Sequence, residues 1–246
     1  MKAGVATAAR CLAFAELDST NAEARRRAES GERGPLWIRA DRQTAGRGRR
    51  GRRWVSEAGN LYATLLFSPA GAVRDRAQLS FVAVLAAHEA LAGLVDAPRR
   101  LRCKWPNDLL ADGRKLAGIL LEGEVDWLAI GFGINLAHHP EGLDQPATSL
   151  SAAFGVTVAP GTVLDALAAA FDALHARWLA AGFAPIREAW TARAAGLGEP
   201  VAVRVGGDAI RGILRGLDDD GALRVEGPGG TCRRVAAGDV ILGGEG

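Results

Sequence analysis

The chain uses arginine as its default cation, 27 of 30 basic residues, yet it places two of its three lysines, Lys104 and Lys115, inside one stretch of 12 residues. An ammonium is a compact charge whose three donors can serve oxygens on different groups, which a planar guanidinium fork does less well. Lys104 closes an apolar run in Lys104-Trp105-Pro106-Asn107-Asp108, immediately before a chain reversal forced by proline. A snorkelling surface lysine fits that position, and so does a reactive one, because α/β-type sheets put chemistry at strand ends beside clefts. Lys115 belongs to Gly113-Arg114-Lys115-Leu116-Ala117-Gly118-Ile119-Leu120-Leu121-Glu122. Small residues at Ala117 and Gly118 suit close approach by a neighbour or a ligand. Gly131-Phe132-Gly133-Ile134-Asn135 ends another strand with two glycines and an amide, a pattern that a tight turn would also produce.

A second candidate is Gly46-Arg47-Gly48-Arg49-Arg50-Gly51, within the glycine and arginine segment Gln43 to Arg53. It matches G-x-G-x-x-G literally, but a dinucleotide site needs that pattern to open a helix straight after a strand, and Arg52 to Asn60 is not an amphipathic helix. A solvated or RNA-binding arginine patch and an anion-binding loop both remain. In the latter, glycines admit a ligand to the backbone and guanidinium forks pair with phosphate or carboxylate oxygens. Mutual repulsion among the cations predicts a loop that is mobile until an anion neutralises it.

The elements that must position these residues can be read from periodicity. Cys11 to Leu17 alternates like a strand, and Thr20 with Glu23 has capping-box spacing before a polar helix to about Ser30. Further strands are predicted at Leu36–Ala40, Leu61–Phe67, Leu101–Trp105, Leu109–Ala111, Lys115–Glu122 and Trp127–Ile134, with Asp112-Gly113-Arg114 as a hairpin turn. Gln78–Val95 reads as a helix buried on most sides, and residues 162–181 and 184–195 as two more, the first with Val163, Leu164, Leu167, Phe171, Leu174 and Trp178 on one face. After Gly196-Leu197-Gly198-Glu199-Pro200 five short β segments follow, which suggests a small barrel. The expected class is α+β: a mixed sheet flanked by helices over residues 1–195, and a barrel domain over residues 196–246.

Composition excludes several classes. At 246 residues, 48% hydrophobic and 24% charged, the chain has an ordinary globular balance, and no run approaches the roughly 18 apolar residues of a membrane span. Arg10, Glu16 and Asp18 interrupt what would be the apolar part of a signal peptide begun by Lys2, so a cytoplasmic protein is expected. Cys11, Cys103 and Cys232 lack metal spacing and read as small core residues; His138-His139 reads as exposed, and His88 and His175 as helix positions. The net charge of +2 conceals +7 over residues 1–53, from 13 Lys+Arg against 6 Asp+Glu, and −5 over the remainder, from 17 against 22. Such a basic first fifth suits nucleic acid, a membrane surface or a phosphorylated small molecule.

Taken in order, Ser19-Thr20-Asn21, Gln43-Thr44-Ala45-Gly46-Arg47-Gly48-Arg49-Arg50-Gly51, Lys104-Trp105-Pro106-Asn107-Asp108, Gly113 to Leu120 and Gly133-Ile134-Asn135 resemble the biotin protein ligases over essentially the whole chain. The resemblance implies the class II aminoacyl-tRNA synthetase/biotin ligase type of fold, with the family's SH3-like C-terminal domain. It also implies formation of biotinoyl-5′-AMP from biotin and ATP with Mg²⁺, then transfer to a lysine of a biotin carboxyl carrier domain, as in acetyl-CoA carboxylase. By similarity Ser19, Thr20, Asn21 and Gln43 would hold the ureido ring, and Arg47, Gly48, Arg49, Lys104 and Gly118 the rest of biotin. Arg49, Arg50, Trp54, Asn107, Lys115 and Asn135 would contact the nucleotide, and Lys104 and Arg49 would be catalytic, Lys104 touching the biotin carboxylate and the α-phosphate. Metal ligands stay unassigned and a homodimer stays open. Only 18 residues precede Ser19, too few for the winged helix-turn-helix of the family's repressors, so no specific DNA binding is expected. A lipoate-type ligase would share the lysine logic without this arginine loop, and a nucleic-acid binder would explain the loop without Lys104.

Overall fold

The structure, a computed structural model, describes residues 9–206 and 208–243, so Lys2 lies outside the described residues. Seven strands form one mixed sheet: β1 (Arg10–Leu17), β2 (Leu36–Gln43), β3 (Leu61–Phe67), β4 (Leu101–Lys104), β5 (Asp108–Ala111), β6 (Arg114–Gly123) and β7 (Leu128–Ile134). Their spatial order is β1-β2-β3-β7-β6-β5-β4, with β1 and β2 parallel and the other pairs antiparallel. Asp112 at φ 49° and Gly113 at φ 76° make the predicted tight turn between β5 and β6.

Helices treat the two faces differently. On one face lie α2 (Leu79–Ala92) and α4 (Pro160–Ala181), with α5 (Ala184–Thr191) beside them. Nearly every α2 residue is buried, as its almost unbroken apolar sequence requires. On the other face the short α1 (Thr20–Glu29) packs Ala24 and Ala28 against Ile38, Leu66 and Ala129. Covered from both sides, β3 is buried throughout. Beyond α1 the second face is open, and that uncovered half is where the polar residues of interest collect.

The C-terminal strands are β8 (Pro200–Val205), β9 (Asp208–Leu217), β10 (Leu223–Glu226), β11 (Cys232–Val235) and β12 (Asp239–Leu242), close to the predicted intervals. They form an antiparallel sheet in the order β11-β10-β9-β8-β12, and β11 and β12 do not pair with each other. The predicted barrel is therefore an unclosed sheet. Its apolar side merges with the main core, Val201, Val203, Leu214, Leu223 and Val240 belonging to the same cluster as Phe81 and Trp190.

Several local expectations change. The helix α3 (Leu150–Phe154), opened by Ser149 accepting from the Ala152 amide, is too short to show a period. Ser19, not Thr20, is the residue before α1, and no side chain caps that helix; the Thr20 hydroxyl points to Gln43, while Glu23 pairs with Arg26 and Arg27. Cys103 is buried, but Cys11 and Cys232 are exposed on edge strands. His138 and His139 are half-buried rather than exposed.

Candidate active site

Antiparallel pairing puts facing residues on one side of a sheet. Here it aligns Tyr62, Gly133, Gly118, Asp108 and Lys104 across β3, β7, β6, β5 and β4, with Thr64, Gly131 and Leu120 in the next parallel row. Three glycines thus form a floor. A Cβ at Gly131 would collide with Asn21 Oδ1, and one at Gly133 would lie 2.5 Å from Trp54 Cε2. At Gly118 it would meet Trp54 Cζ3 at 3.1 Å and Lys115 Cε at 3.2 Å. The trough opens into a cavity of about 370 Å³ lined by Ser19, Thr20, Asn21, Gln43, Arg47, Gly48, Arg49, Trp54, Lys104, Asn107, Lys115 and Gly118 among others.

One end of the cavity is a neutral hydrogen-bond network. Gln43 Oε1 accepts from the Thr20 amide at 2.8 Å and faces the Thr20 hydroxyl at 3.2 Å, while Gln43 Nε2 donates to Ser56 Oγ at 2.9 Å. Thr64 Oγ1, fully buried in β3, lies 2.8 Å from Thr20 Oγ1 and 2.6 Å from Asn21 Oδ1. The Asn21 amide donates to Glu122 Oε2 at 2.9 Å. Such a set can read a small neutral ring through both donors and acceptors without desolvating a charge.

The other end is ionic. Asp108, opposite Lys104 on β5, forms an ion pair of 2.7 Å with Lys115 Nζ, and Lys115 lies 5.4 Å from the centre of the Trp54 ring. The Lys104 ammonium makes no hydrogen bond or ion pair among the described residues. Burial lowers its pKa, and the nearby Asp108 pulls in the opposite direction. A partly desolvated ammonium of this kind gains from an incoming anion.

The arginine loop is folded across the mouth rather than splayed. Asp239, at the start of β12, counters the repulsion: it lies 3.5 Å from Arg49 Nη1, 2.8 Å from Arg50 Nη1 and 3.5 Å from Arg52 Nη2. Arg49 also donates to Asn107 Oδ1 at 3.2 Å and to the Gly238 carbonyl at 3.3 Å. Burial lowers the Arg49 pKa, with Asp239 opposing. Arg50, at φ 57°, has its side chain 51% exposed and does not line the cavity.

Asn135 is not among the residues that line the cavity. It is 2% exposed and donates from Nδ2 to the Thr148 carbonyl at 3.0 Å, joining the end of β7 to the segment before α3. Conversely, Thr64, Ser56, Asp239 and Glu122 escaped the sequence reading. Thr64 hides in an all-buried strand, and Asp239 is 187 residues from the nearest arginine it holds. Among the described residues no group of three His, Cys, Asp or Glu side chains converges as metal ligands, so none is assigned to the magnesium ion that accompanies ATP. No described helix is long and apolar enough to cross a membrane.

A glycine-floored trough with a neutral amide and hydroxyl end, an ionic end and an arginine loop over its mouth has the parts of an acyl-adenylating ligase. The chain belongs to the Biotin/lipoate A/B protein ligase family, whose sequence profile matches residues 13–135, and the profile of the Biotin protein ligase C terminal domain matches residues 196–243. Within that family it is similar to the biotin–acetyl-CoA-carboxylase ligase of Paracoccus denitrificans, 47% identical over 94% of this chain and 100% of that one. The enzyme of the same name from Mycobacterium tuberculosis is 35% identical over 92% and 86% of the two chains. The biotin protein ligase of Aquifex aeolicus, solved in complex with biotin and ATP, superposes with a TM-score of 0.82 at 29% identity, covering 94% of this chain and 97% of that one.

Proposed function

We propose that this protein activates biotin with ATP and transfers it to a lysine of a biotin carboxyl carrier domain such as that of acetyl-CoA carboxylase. In the first step a biotin carboxylate oxygen attacks the α-phosphorus, the α–β anhydride bond breaks and pyrophosphate leaves with the electron pair. In the second, the neutral amine of the carrier lysine attacks the acyl carbon, AMP departs, an amide forms and one proton is released.

The observation that carries this reading is the single cavity in which a neutral network and two lysines sit at opposite ends of a glycine floor. Ser19, Thr20, Asn21 and Gln43 bind the ureido ring, and Gly131, Gly133 and Gly118 let Asn21 and Trp54 settle low on the sheet, which leaves depth above them for the ligand. Lys104 meets the carboxylate and the α-phosphate, Lys115 holds a second phosphate oxygen while Asp108 fixes its rotamer, and Asn107 aims Arg49 at the developing charge. Trp54 supplies an aromatic surface for the base. Arg47 and Gly48 close over the ligand and keep water from the mixed anhydride. We assign residues 1–195 to this catalysis and residues 196–246 to a second domain that supplies Asp239, and place the reaction in the cytoplasm.

The test is pyrophosphate release with Mg·ATP and either biotin or lipoate, followed by the mass of a carrier domain. Release with biotin and a carrier heavier by one biotinyl group supports the reading. Release with lipoate alone makes the protein a lipoate ligase, and silence with both leaves an anion-binding protein.

A further inference from the structure

We propose that Glu122 is a positioning residue for biotin recognition, acting through Asn21; this rests on the functional reading above. Asn21 is a primary amide, and its two ends are nearly equal in shape but opposite in hydrogen-bonding sense. A ureido ring bound beside it needs one sense and not the other. The cavity itself does not decide, because hydroxyls can rotate to suit either.

Glu122 decides, because an ionised carboxylate can only accept. Its Oε2 lies 2.9 Å from Asn21 Nδ2, so the amide nitrogen must face β6, where the Leu120 carbonyl at 3.4 Å is a second acceptor. Asn21 Oδ1 is then turned to the Thr64 hydroxyl at 2.6 Å, with its second lone pair free for an N–H of the ligand. The sense propagates. Thr64 Oγ1 also lies 2.8 Å from Thr20 Oγ1, whose own proton points to Gln43 Oε1, so Thr64, Thr20 and Gln43 continue the network from Asn21.

The carboxylate is itself held. Its Oε1 lies 3.6 Å from Arg25 Nη2 and 3.9 Å from Arg47 Nη2, which fixes the rotation that aims Oε2 at Asn21. Glu122 does not line the cavity and is 22% exposed. It touches no reacting atom, and its effect must pass through the amide.

The experiment is steady-state pyrophosphate release by the full chain for wild type, Glu122→Gln, Glu122→Ala, Asn21→Ala and the Asn21→Ala/Glu122→Ala pair, with biotin and ATP each varied. Glu122→Gln keeps shape but can present its own NH₂, so it should raise the KM for biotin about tenfold, the lower end for a lost charge-assisted hydrogen bond. The KM for ATP, kcat and melting temperature should stay within about twofold or a few degrees of wild type. On the Asn21→Ala background, Glu122→Ala should add no further loss. An unchanged biotin KM in both Glu122 variants overturns the proposal, as do additive losses in the pair or equal rises for biotin and ATP with a lowered melting temperature. Wild type that releases no pyrophosphate with biotin sinks the functional reading instead, and this inference with it.

Discussion

At the scale of single residues, Lys104 and Lys115 divide one job between them. Asp108 is committed to Lys115 at 2.7 Å, whereas Lys104 is desolvated without an ion-pair partner. Charge-assisted hydrogen bonds contribute about 1.5–3 kcal/mol each, so Lys104→Ala, losing contacts to two oxygens, should slow adenylate formation at least about a hundredfold with the melting temperature preserved. Lys115→Ala should cost about tenfold and raise the KM for ATP more than that for biotin. Biotin-dependent pyrophosphate release within threefold of wild type in Lys104→Ala, or a larger loss in Lys115→Ala, would move the principal role to Lys115. The residue types at this end were legible, since a lysine before Trp-Pro and another after a tight turn stand out in a chain of arginines. The pairing of Asp108 with Lys115 beside Lys104 was not, because antiparallel pairing between β4, β5 and β6 creates that proximity and no local period records it.

Among the elements, the arginine loop and helix α4 carry the clearest consequences. Arg49→Gly removes a guanidinium that ties the loop to Asn107 and the Gly238 carbonyl and adds backbone freedom, so the loop should open more often. We expect faster dissociation of the adenylate and labelling of bystander lysines on serum albumin at matched total adenylate synthesis. Asp239→Asn should do the same more weakly; retention as long as in wild type by both variants would refute the covering role. In α4, His175 is 3% exposed, both ring nitrogens lack partners among the described residues, and it stacks on Phe171 and Trp178 at 5.5 and 5.8 Å. Burial lowers its pKa below the ordinary value of 6.5. The unfolded chain therefore binds this proton first, and stability falls as pH drops below about 6.5 toward the folded value. His175→Phe should raise stability by about 1 kcal/mol at pH 7, with a margin that widens by pH 5 in denaturant melts. A margin independent of pH would show that His175 does not titrate as described. Strands and long helices were legible because their apolar periods are long. The capping of α1 was misread and the hydrogen bond of Asn135 to Thr148 was not legible, because a hydroxyl or amide at an element's end has several partners in reach and only the fold chooses.

For the molecule as a whole, the two sheets share one core and one site. Trp105 Nε1 donates to the Gly221 carbonyl at 3.0 Å, and a Cβ at Gly221 would press on Phe81, itself packed on Phe183 and Trp190. A chain ending at residue 195 would expose these aromatics and lose Asp239 together, so it should aggregate and release no pyrophosphate; a well-folded, active truncation would show that residues 196–246 are dispensable. The same geometry bears on the order in which the protein is made. Arg50 and the Asp239 that steadies it are 189 residues apart, which at about 5–20 residues per second separates their synthesis by roughly 10–40 seconds. During that interval the main sheet can assemble on the ribosome while the arginines still repel one another. Strand β12 thus gates the order: no chain can hold a reactive anhydride under an ordered loop until synthesis has reached Asp239.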